Sequence, residues 1–179
     1  MKKAILFAAG CFLLFACNNE KKDAATTETT TTSDKQPQSE ITDLKYTDLG
    51  KGLQAKMASG DVAGWLSYYA DTATYRWNNG DSLIGKAAIT DYWTHRRKDV
   101  IDSLSFSQDI WLPVKVNKPQ QKEEAGVWLL GWYMVTAKYK AGKSMTQWTH
   151  TLMHFNSADK IDRVLQFLDH APINAALGK

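Results

Sequence analysis

The sequence predicts an α+β fold in which a curved antiparallel sheet wraps around helices and forms a cone with an internal pocket. Residues 126–155 carry most of the evidence, because two long β-branched and aromatic stretches flank Ala141-Gly142 and predict a hairpin. Apolar residues at helical spacing come earlier in the chain, so helices and long strands are segregated. Both hairpin faces are apolar. One face should therefore cover a core or pocket, and the other should meet helices or a second subunit.

Residues 1–16 have the pattern of an export signal. Lys2 and Lys3 form a charged start, and the apolar run that follows is too short for a permanent membrane-spanning helix. Residues 14–17, Leu-Phe-Ala-Cys, resemble the lipobox of bacterial lipoproteins, in which the cysteine becomes the lipidated first residue. We therefore predict a signal peptide over 1–16 and a lipid anchor on Cys17. The alternative is an ordinary cleaved signal with an incidental cysteine.

Residues 17–40 are predicted to be a flexible, Thr-rich tether between the anchor and a domain over 41–179. No aromatic residue lies between positions 24 and 39, so this segment cannot bury enough apolar surface to offset the entropy of ordering it. Position 18 is Asn rather than Asp, which favours the outer membrane over retention in the inner membrane. We expect an outer membrane lipoprotein that faces the periplasm or the cell surface.

The composition disfavours several classes of function. The formal net charge is +3, and the signal peptide supplies two of these charges, so there is no electrostatic case for binding nucleic acid. One of the two cysteines, Cys11, lies in the signal, so no intrachain disulfide is expected. The sequence has no glycine-rich phosphate loop and no nucleophile elbow. We expect no cofactor.

The predicted elements of the domain follow from periodicity and turn residues. Ser59-Gly60-Asp61 separates two helices, and residues 78–81 form a turn. In chain order, we predict a helix over about 43–58, a short helix after Asp61, a strand over 72–77, a second strand before the next helix, a helix from 85 to about 101, and strands over 104–116, 126–140, 143–155 and 161–168.

Four cationic or titratable residues, His95 to Lys98, follow one another near the end of the third helix. On a solvated face they would interact favourably with the negative end of the helix dipole. The alternative is a binding patch for an anionic ligand. The apolar face of the same helix is predicted to include Ile89, Tyr92, Trp93, Arg96 and Val100.

Several short motifs occur in the order found in a known superfamily. They are Gly60-Asp61 with the apolar helix after it, Ala70 to Thr74, Gly85 to Ile89 opening a helix, and His154-Phe155 followed by Lys160-Ile161 and Asp169. Together they resemble the superfamily named after nuclear transport factor 2, which includes SnoaL-like polyketide cyclases and ketosteroid isomerases. The resemblance covers about residues 44–177. It implies a bent sheet around a helix, a pocket at the wide end and a homodimer through the sheet.

The resemblance does not extend to the proton-transfer residues of ketosteroid isomerases. The first-helix tyrosine of that pattern falls on Leu53, the general-base aspartate on Trp77 and the oxyanion-hole aspartate on Met153. None of the three can exchange a proton as the reaction requires. Ketosteroid isomerase chemistry by that route is excluded, and we expect a binding protein rather than an enzyme.

The alternation of the hairpin strands selects candidate ligand-binding residues. If Met153 faces the pocket, then Gln147, Thr149 and Thr151 do so too, whereas Trp148, His150 and His154 face outward. A two-residue turn at 141–142 would pair Met153 with Leu130 and place Trp128, Trp132 and Met134 on the pocket side. The alternative is that these rings fill the cone as core. The candidate ligand-binding residues are Trp77, Trp128, Trp132, Thr151, Met153 and Gln166.

His150, His154 and Asp169 are the candidates for acid–base chemistry. His150 could pair with Asp169 or His170, although buried interface histidines are the simpler interpretation. Four strand residues span roughly 13 Å, so His150 and His154 cannot bind one ion, and we predict no metal site.

Three hypotheses for the function remain. The first is a membrane-anchored domain that binds a small apolar or aromatic ligand, or a partner, without catalysis. The second is a SnoaL-like cyclase, isomerase or hydrolase that uses His and Asp side chains. The third is a structural dimeric module whose pocket is collapsed. A polar pair in the cavity would favour the enzyme, and a wholly apolar cavity would favour binding.

Overall fold

The computed structural model describes residues 36–121 and 123–179. The predicted signal peptide, the anchor at Cys17 and most of the tether lie outside the described residues. No helix in the described part is both long enough and apolar enough to cross a membrane. The elements, in chain order, are β1 (Ser39–Ile41), α1 (Lys45–Ser59), α2 (Val62–Leu66), β2 (Tyr69–Trp77), β3 (Ser82–Ile84), α3 (Lys86–His95), a π-helical turn (Arg96–Val100), β4 (Ile101–Val116), β5 (Gly126–Tyr139), β6 (Ser144–Phe155), β7 (Ile161–Phe167) and α4 (His170–Leu177).

The strands form one curved, open sheet in the order β1-β4-β5-β6-β7-β2-β3, which confirms the α+β cone. Neighbouring strands are antiparallel except β2 and β7, which pair in parallel. The parallel pair is possible because most of the domain lies between these two strands, so no tight turn fixes their direction. A bulge between Ser107 and Ile110, with Gln108 at φ 57°, interrupts β4, and bulges of this kind bend a strand.

Helix α1 lies against the inner face of the sheet, over β4 and β5. Its buried side follows the 3.6-residue period, and it is formed by Tyr46, Gly50, Leu53, Gln54 and Met57. The helix ends at Gly60, whose φ of 83° favours glycine, and the Asp61 carboxylate then accepts the Gly64 N–H to cap α2. The predicted break between these helices is confirmed.

The long hairpin is present, but its predicted register is wrong. The Tyr139 N–H donates to the Lys143 carbonyl at 2.8 Å, so the loop holds three residues, and Gly142 occupies the last loop position with φ 94°. Met153 therefore pairs with Leu129 rather than Leu130. A shift of one residue moves every β5 side chain to the opposite face of the sheet.

Two elements were not predicted from the sequence: β1 and α4. The second strand predicted before α3 is present as β3. β1 has only three residues, which is too short to show a period. β1 pairs with the end of β4, so regular structure begins just before the predicted boundary at residue 41. Pro172 lies within the first turn of α4, where proline is tolerated.

Candidate functional site

An internal cavity of about 220 Å³ lies between the inner face of the sheet and the helices. Ten aromatic side chains line it, including Trp65, Trp93 and Tyr75, whose rings contact one another at centroid distances of 5.8 and 5.9 Å. Among the described residues, no Asp or Glu lines the cavity. The cavity is therefore an aromatic chamber with neutral and cationic polar groups.

Four of the six candidate ligand-binding residues line this cavity: Trp77, Thr151, Met153 and Gln166. Trp128 and Trp132 do not, because the three-residue hairpin loop places them on the outer face of the sheet, away from α1. Tyr133 and Val135 occupy the inner face of β5 instead. The prediction for β6 holds, since its odd-numbered residues face inward. The ligand-binding role itself stays a prediction.

A hydrogen-bonded network crosses one wall of the cavity through Gln166. Its side-chain oxygen accepts the Tyr75 hydroxyl at 2.7 Å and the Trp77 indole N–H at 3.0 Å. Its amide nitrogen donates to the Thr151 hydroxyl at 3.4 Å, and that hydroxyl also lies 2.7 Å from the hydroxyl of Tyr133. The network joins β2, β6, β7 and β5, and it holds these rings in fixed orientations.

Trp111 lies beside Tyr133 in the cavity wall, with ring centroids 5.5 Å apart, because two glycines make room for its indole. A Cβ at Gly131, its neighbour on β5, would lie 2.2 Å from the ring, and a Cβ at Gly50 of α1 would lie 2.9 Å from it. Real Cβ atoms do not approach so closely. The ring is therefore held between the sheet and the helix, and Gly131 is needed for close approach rather than for an unusual backbone angle.

Five residues that line the cavity each have a buried polar atom with no hydrogen-bond partner among the described residues. Buried polar atoms are normally paired, so unpaired atoms in one cavity indicate a place for a ligand or water. The indole and guanidinium groups can only donate, whereas the phenol and imidazole can donate or accept. The atoms are Tyr69 Oη, Trp93 Nε1, Arg96 Nε, Trp111 Nε1 and His170 Nε2.

The cavity tyrosines are neutral donors near pH 7. Burial is the main cause that raises the pKa of each of them above the ordinary value for tyrosine. The pKa is raised furthest for Tyr69 and Tyr75. It is also raised for Tyr92, Tyr133 and Tyr139. A phenol with a raised pKa does not act as a base, but it can donate a hydrogen bond to an acceptor atom of a ligand.

The residues of the cationic run after α3 have different roles. Arg97 donates to the carbonyls of Met57 and Ala58 at 3.1 and 3.2 Å and so caps the end of α1. His95 pairs with Asp99 on the surface. Arg96 points the other way and lines the cavity. The solvated-face interpretation therefore holds for part of the run only.

The three acid–base candidates do not line the cavity. The His150 ring stacks on Trp132 at 4.3 Å on the outer face and lies 3.0 Å from the Gly131 carbonyl through Nδ1. Asp169 caps α4 by accepting the Ala171 N–H at 2.8 Å. His150, Asp169 and His170 border one shallow groove at the edge of the outer face, but no hydrogen bond joins them within the described residues.

His154 is buried beneath the loop before β5, on the outer face. Its Nδ1 lies 2.6 Å from the Asp162 carboxylate, and its Nε2 lies 3.1 Å from the Ala125 carbonyl. Glu124 completes a set of three possible metal ligands, but it also pairs with Arg163. Both ring nitrogens of His154 already have partners, so the cluster has the character of a structural contact.

Sequence reasoning missed several cavity residues, of which Tyr133, Trp111 and His170 are the clearest. Tyr133 was assigned no role because the predicted hairpin register was wrong, and Trp111 lies on β4, outside the hairpin from which the candidates were chosen. The signal was present in Gly142, since a glycine at the end of a three-residue loop is a known hairpin pattern. His170 belongs to α4, which was not predicted.

No protein-family model matches the chain, and no curated protein matches it. Solved structures do match. A proposed isomerase from Bacillus subtilis is 16% identical, with a TM-score of 0.59 over 75% of this chain and 93% of that chain. A proposed polyketide cyclase from Xanthomonas campestris is 14% identical, with a TM-score of 0.58 over 73% and 95%. A protein with a ketosteroid isomerase-like fold from Catenulispora acidiphila, in complex with trimethylamine, is 12% identical, with a TM-score of 0.54 over 73% and 92%.

These similarities agree with the strand order, the curvature of the sheet and the internal cavity described above. At such low identity they establish the fold and no more. The chain has the cone-shaped fold of the nuclear transport factor 2-like superfamily.

Proposed function

We propose that this domain binds a small, mainly apolar or aromatic ligand in the cone cavity, without catalysing a reaction. The observation that carries the proposal is the cavity itself, which is lined by ten aromatic side chains and, among the described residues, by no carboxylate. Aromatic walls bind flat apolar molecules through buried area and ring contacts. Scattered hydrogen-bond donors then fix the orientation of the ligand.

Among the described residues, no Asp or Glu side chain lines the cavity, and this supports binding over proton transfer. A general base must titrate near the working pH, and tyrosines with raised pKa values remain protonated there. The open volume also argues against a purely structural module with a collapsed pocket. A ligand would pair with donors that the protein leaves unpaired.

Calorimetric titration with 2-naphthamide, a neutral two-ring probe, tests this proposal. The full chain is held in lipid nanodiscs, and empty nanodiscs are the blank. Val135→Phe places a ring in the cavity and should abolish binding. Thr136→Phe is the matched control on the outer face of the same strand and should leave binding unchanged. If both variants bind like the wild type, the cone cavity is not the binding site.

An enzyme is the second candidate, and His170 is the observation that favours it. Its imidazole lines the cavity and leaves Nε2 buried and unpaired among the described residues. A neutral imidazole can remove a proton next to a carbonyl group. Exchange of the α-protons of 2-tetralone in D₂O, followed by NMR, provides the test. Exchange that is catalysed by the wild type and lost in His170→Gln would support the enzyme, and no catalysis would support binding alone.

The proposed cellular context is a lipid-anchored protein of the outer membrane. The support is the export signal and the lipobox-like residues 14–17, which lie outside the described residues. Several acyl chains on one cysteine give a stable anchor. Cys17→Ser should move the protein from the membrane fraction to the soluble fraction. A variant that stays in the membrane would contradict the proposed anchor.

We also propose that two copies associate through the outer face of the sheet. Seven apolar side chains and one histidine form two rows across four strands there, where single exposed apolar residues would be usual. The rows are Leu112, Leu130, Leu152, Leu165 and Ile110, Trp132, His150, Phe167. Phe167 is 47% exposed in the single chain, and a second copy of the same face would cover it.

The oligomeric state in solution tests the proposed dimer. Leu152→Glu places a charge at the centre of the outer face and should convert a dimer to a monomer in analytical ultracentrifugation. Ser82→Glu adds the same charge on the edge strand β3 and should leave the dimer intact. A wild-type monomer would rule out this association.

A further inference from the structure

From the polar groups of the cavity, we infer that the ligand is an apolar organic acid whose anionic group is bound by Arg96. This inference rests on the proposed binding function and specifies the chemical class of the ligand. It depends on three features: the position of Arg96, its lack of a counter-charge and the donors around it.

Arg96 is the arginine that lines the cavity. Its guanidinium lies 5.8 Å from the centre of the Tyr92 ring, and its Nε is buried without a hydrogen-bond partner among the described residues. It begins the π-helical turn that follows α3. Turns of this type recur at functional sites because they redirect a side chain out of the helical repeat.

The other arginines near the domain core have protein partners. Arg97 binds backbone carbonyls at the end of α1, and Arg163 pairs with Glu124. Among the described residues, no carboxylate forms a salt bridge with Arg96, and none lines the cavity. A half-buried guanidinium without a counter-charge is costly, and an anionic ligand would supply the missing charge.

The surroundings of Arg96 favour an anion as well. Arg96 lies close enough to Tyr139 to oppose the effect of burial on the pKa of that phenol. Tyr139 in turn packs with Ala176, Ile173 and Leu177 of α4. The guanidinium and the phenol therefore lie close together where α4 packs on the sheet, and His170 and Lys179, at the two ends of that helix, also line the cavity. The polar groups of this region are mainly hydrogen-bond donors.

The rest of the cavity suits an apolar body. Leu53, Met57 and Phe106 lie among its aromatic rings, and the buried N–H groups of Trp93 and Trp111 can each donate to an acceptor atom. A molecule with a flat apolar part and a carboxylate at one end matches both regions. A cation would meet Arg96 without a compensating Asp or Glu side chain, so Arg96 favours an anion over a cation.

A matched pair of probes tests the inference: 2-naphthoate and its neutral analogue 2-naphthamide, titrated calorimetrically into the full chain in nanodiscs. The wild type should bind the acid at least roughly tenfold more tightly, as expected for a charge-assisted hydrogen bond. Arg96→Gln should remove this preference, because it should weaken binding of the acid at least roughly tenfold more than binding of the amide. Arg96→Lys keeps the charge and should retain part of the preference.

Lys98→Gln is the control, since it removes the same charge two residues away at an exposed position. It should keep the full preference for the acid. Equal binding of the two probes by the wild type, or loss of the preference in Lys98→Gln, would overturn the inference and leave the proposed binding function intact. If the folded wild type binds neither probe, the proposed binding function fails as well.

Discussion

Gly131→Ala tests the close approach between β5 and the Trp111 indole. The added Cβ would lie 2.2 Å from the nearest ring carbon, whereas ordinary contact begins at 3.4 Å, so the ring would have to retreat by about 1.2 Å. Helix α1 blocks that movement, because a Cβ at Gly50 would already lie 2.9 Å from the same ring. The substitution therefore overpacks a site that cannot relax freely.

Two effects oppose each other in this variant. Overpacking costs about 1–3 kcal/mol, and replacing glycine by alanine within a strand returns about 0.5–1 kcal/mol of backbone entropy. We expect a net loss of about 1–2 kcal/mol in the free energy of unfolding. Urea denaturation of the full chain, followed by circular dichroism, measures this loss.

Two further variants isolate the cause. In a Trp111→Leu background the ring is absent, so Gly131→Ala should become neutral or slightly stabilising. Gly52→Ala is the control within α1, where nothing lies within 4 Å of the added Cβ, and it should stabilise by about 0.5–1 kcal/mol. A Gly131→Ala protein as stable as the wild type would refute the argument that Trp111 is clamped.

Three further predictions concern polar contacts. Gln166→Leu removes the acceptor of one phenol and one indole N–H, so it should cost about 2–4 kcal/mol of stability in urea denaturation; a loss under 0.5 kcal/mol would contradict this. Arg97→Met removes the cap of α1 and should lower stability by about 1–3 kcal/mol, whereas Lys98→Met should change it little. Asp159 accepts hydrogen bonds from the Tyr46 hydroxyl and the Lys45 ammonium, and both lower its pKa in the folded protein. Its contribution to the free energy of unfolding is therefore present above the unfolded pKa and is lost as the pH falls through the folded pKa. Asp159→Asn should cost a few tenths of a kcal/mol at pH 7, because the group is largely exposed, and the difference from wild type should shrink as the pH falls through the lowered folded pKa; a difference independent of pH would refute this.

Much of the fold could be predicted because local patterns and packing agreed. The apolar spacing of α1, the capping residue Asp61 and the long β-branched strands each indicate the structure that forms. The motif resemblance then supplied the cone. The short strand β1 could not be predicted in this way, since three residues form a strand only where a longer partner strand supplies the hydrogen bonds.

The candidate site was predicted in part. Trp77, Thr151, Met153 and Gln166 line the cavity as expected, because β6 and the strands beside it follow simple alternation. Trp128 and Trp132 lie on the other face. Alternation could not decide their side, since β5 is apolar on both faces and the outcome depends on whether the hairpin loop has two or three residues.

The sequence by itself determined the two-strand hairpin, the three helices before it and the division of the β6 side chains between two faces, because these depend on the period of neighbouring residues. Only the tertiary structure decided which face of β5 lines the cavity, where α4 packs, and which residue of the cationic run turns inward. Those outcomes depend on contacts between residues far apart in the chain, such as Arg97 with the end of α1 and Trp111 with Gly131. Such contacts leave no period in the local sequence.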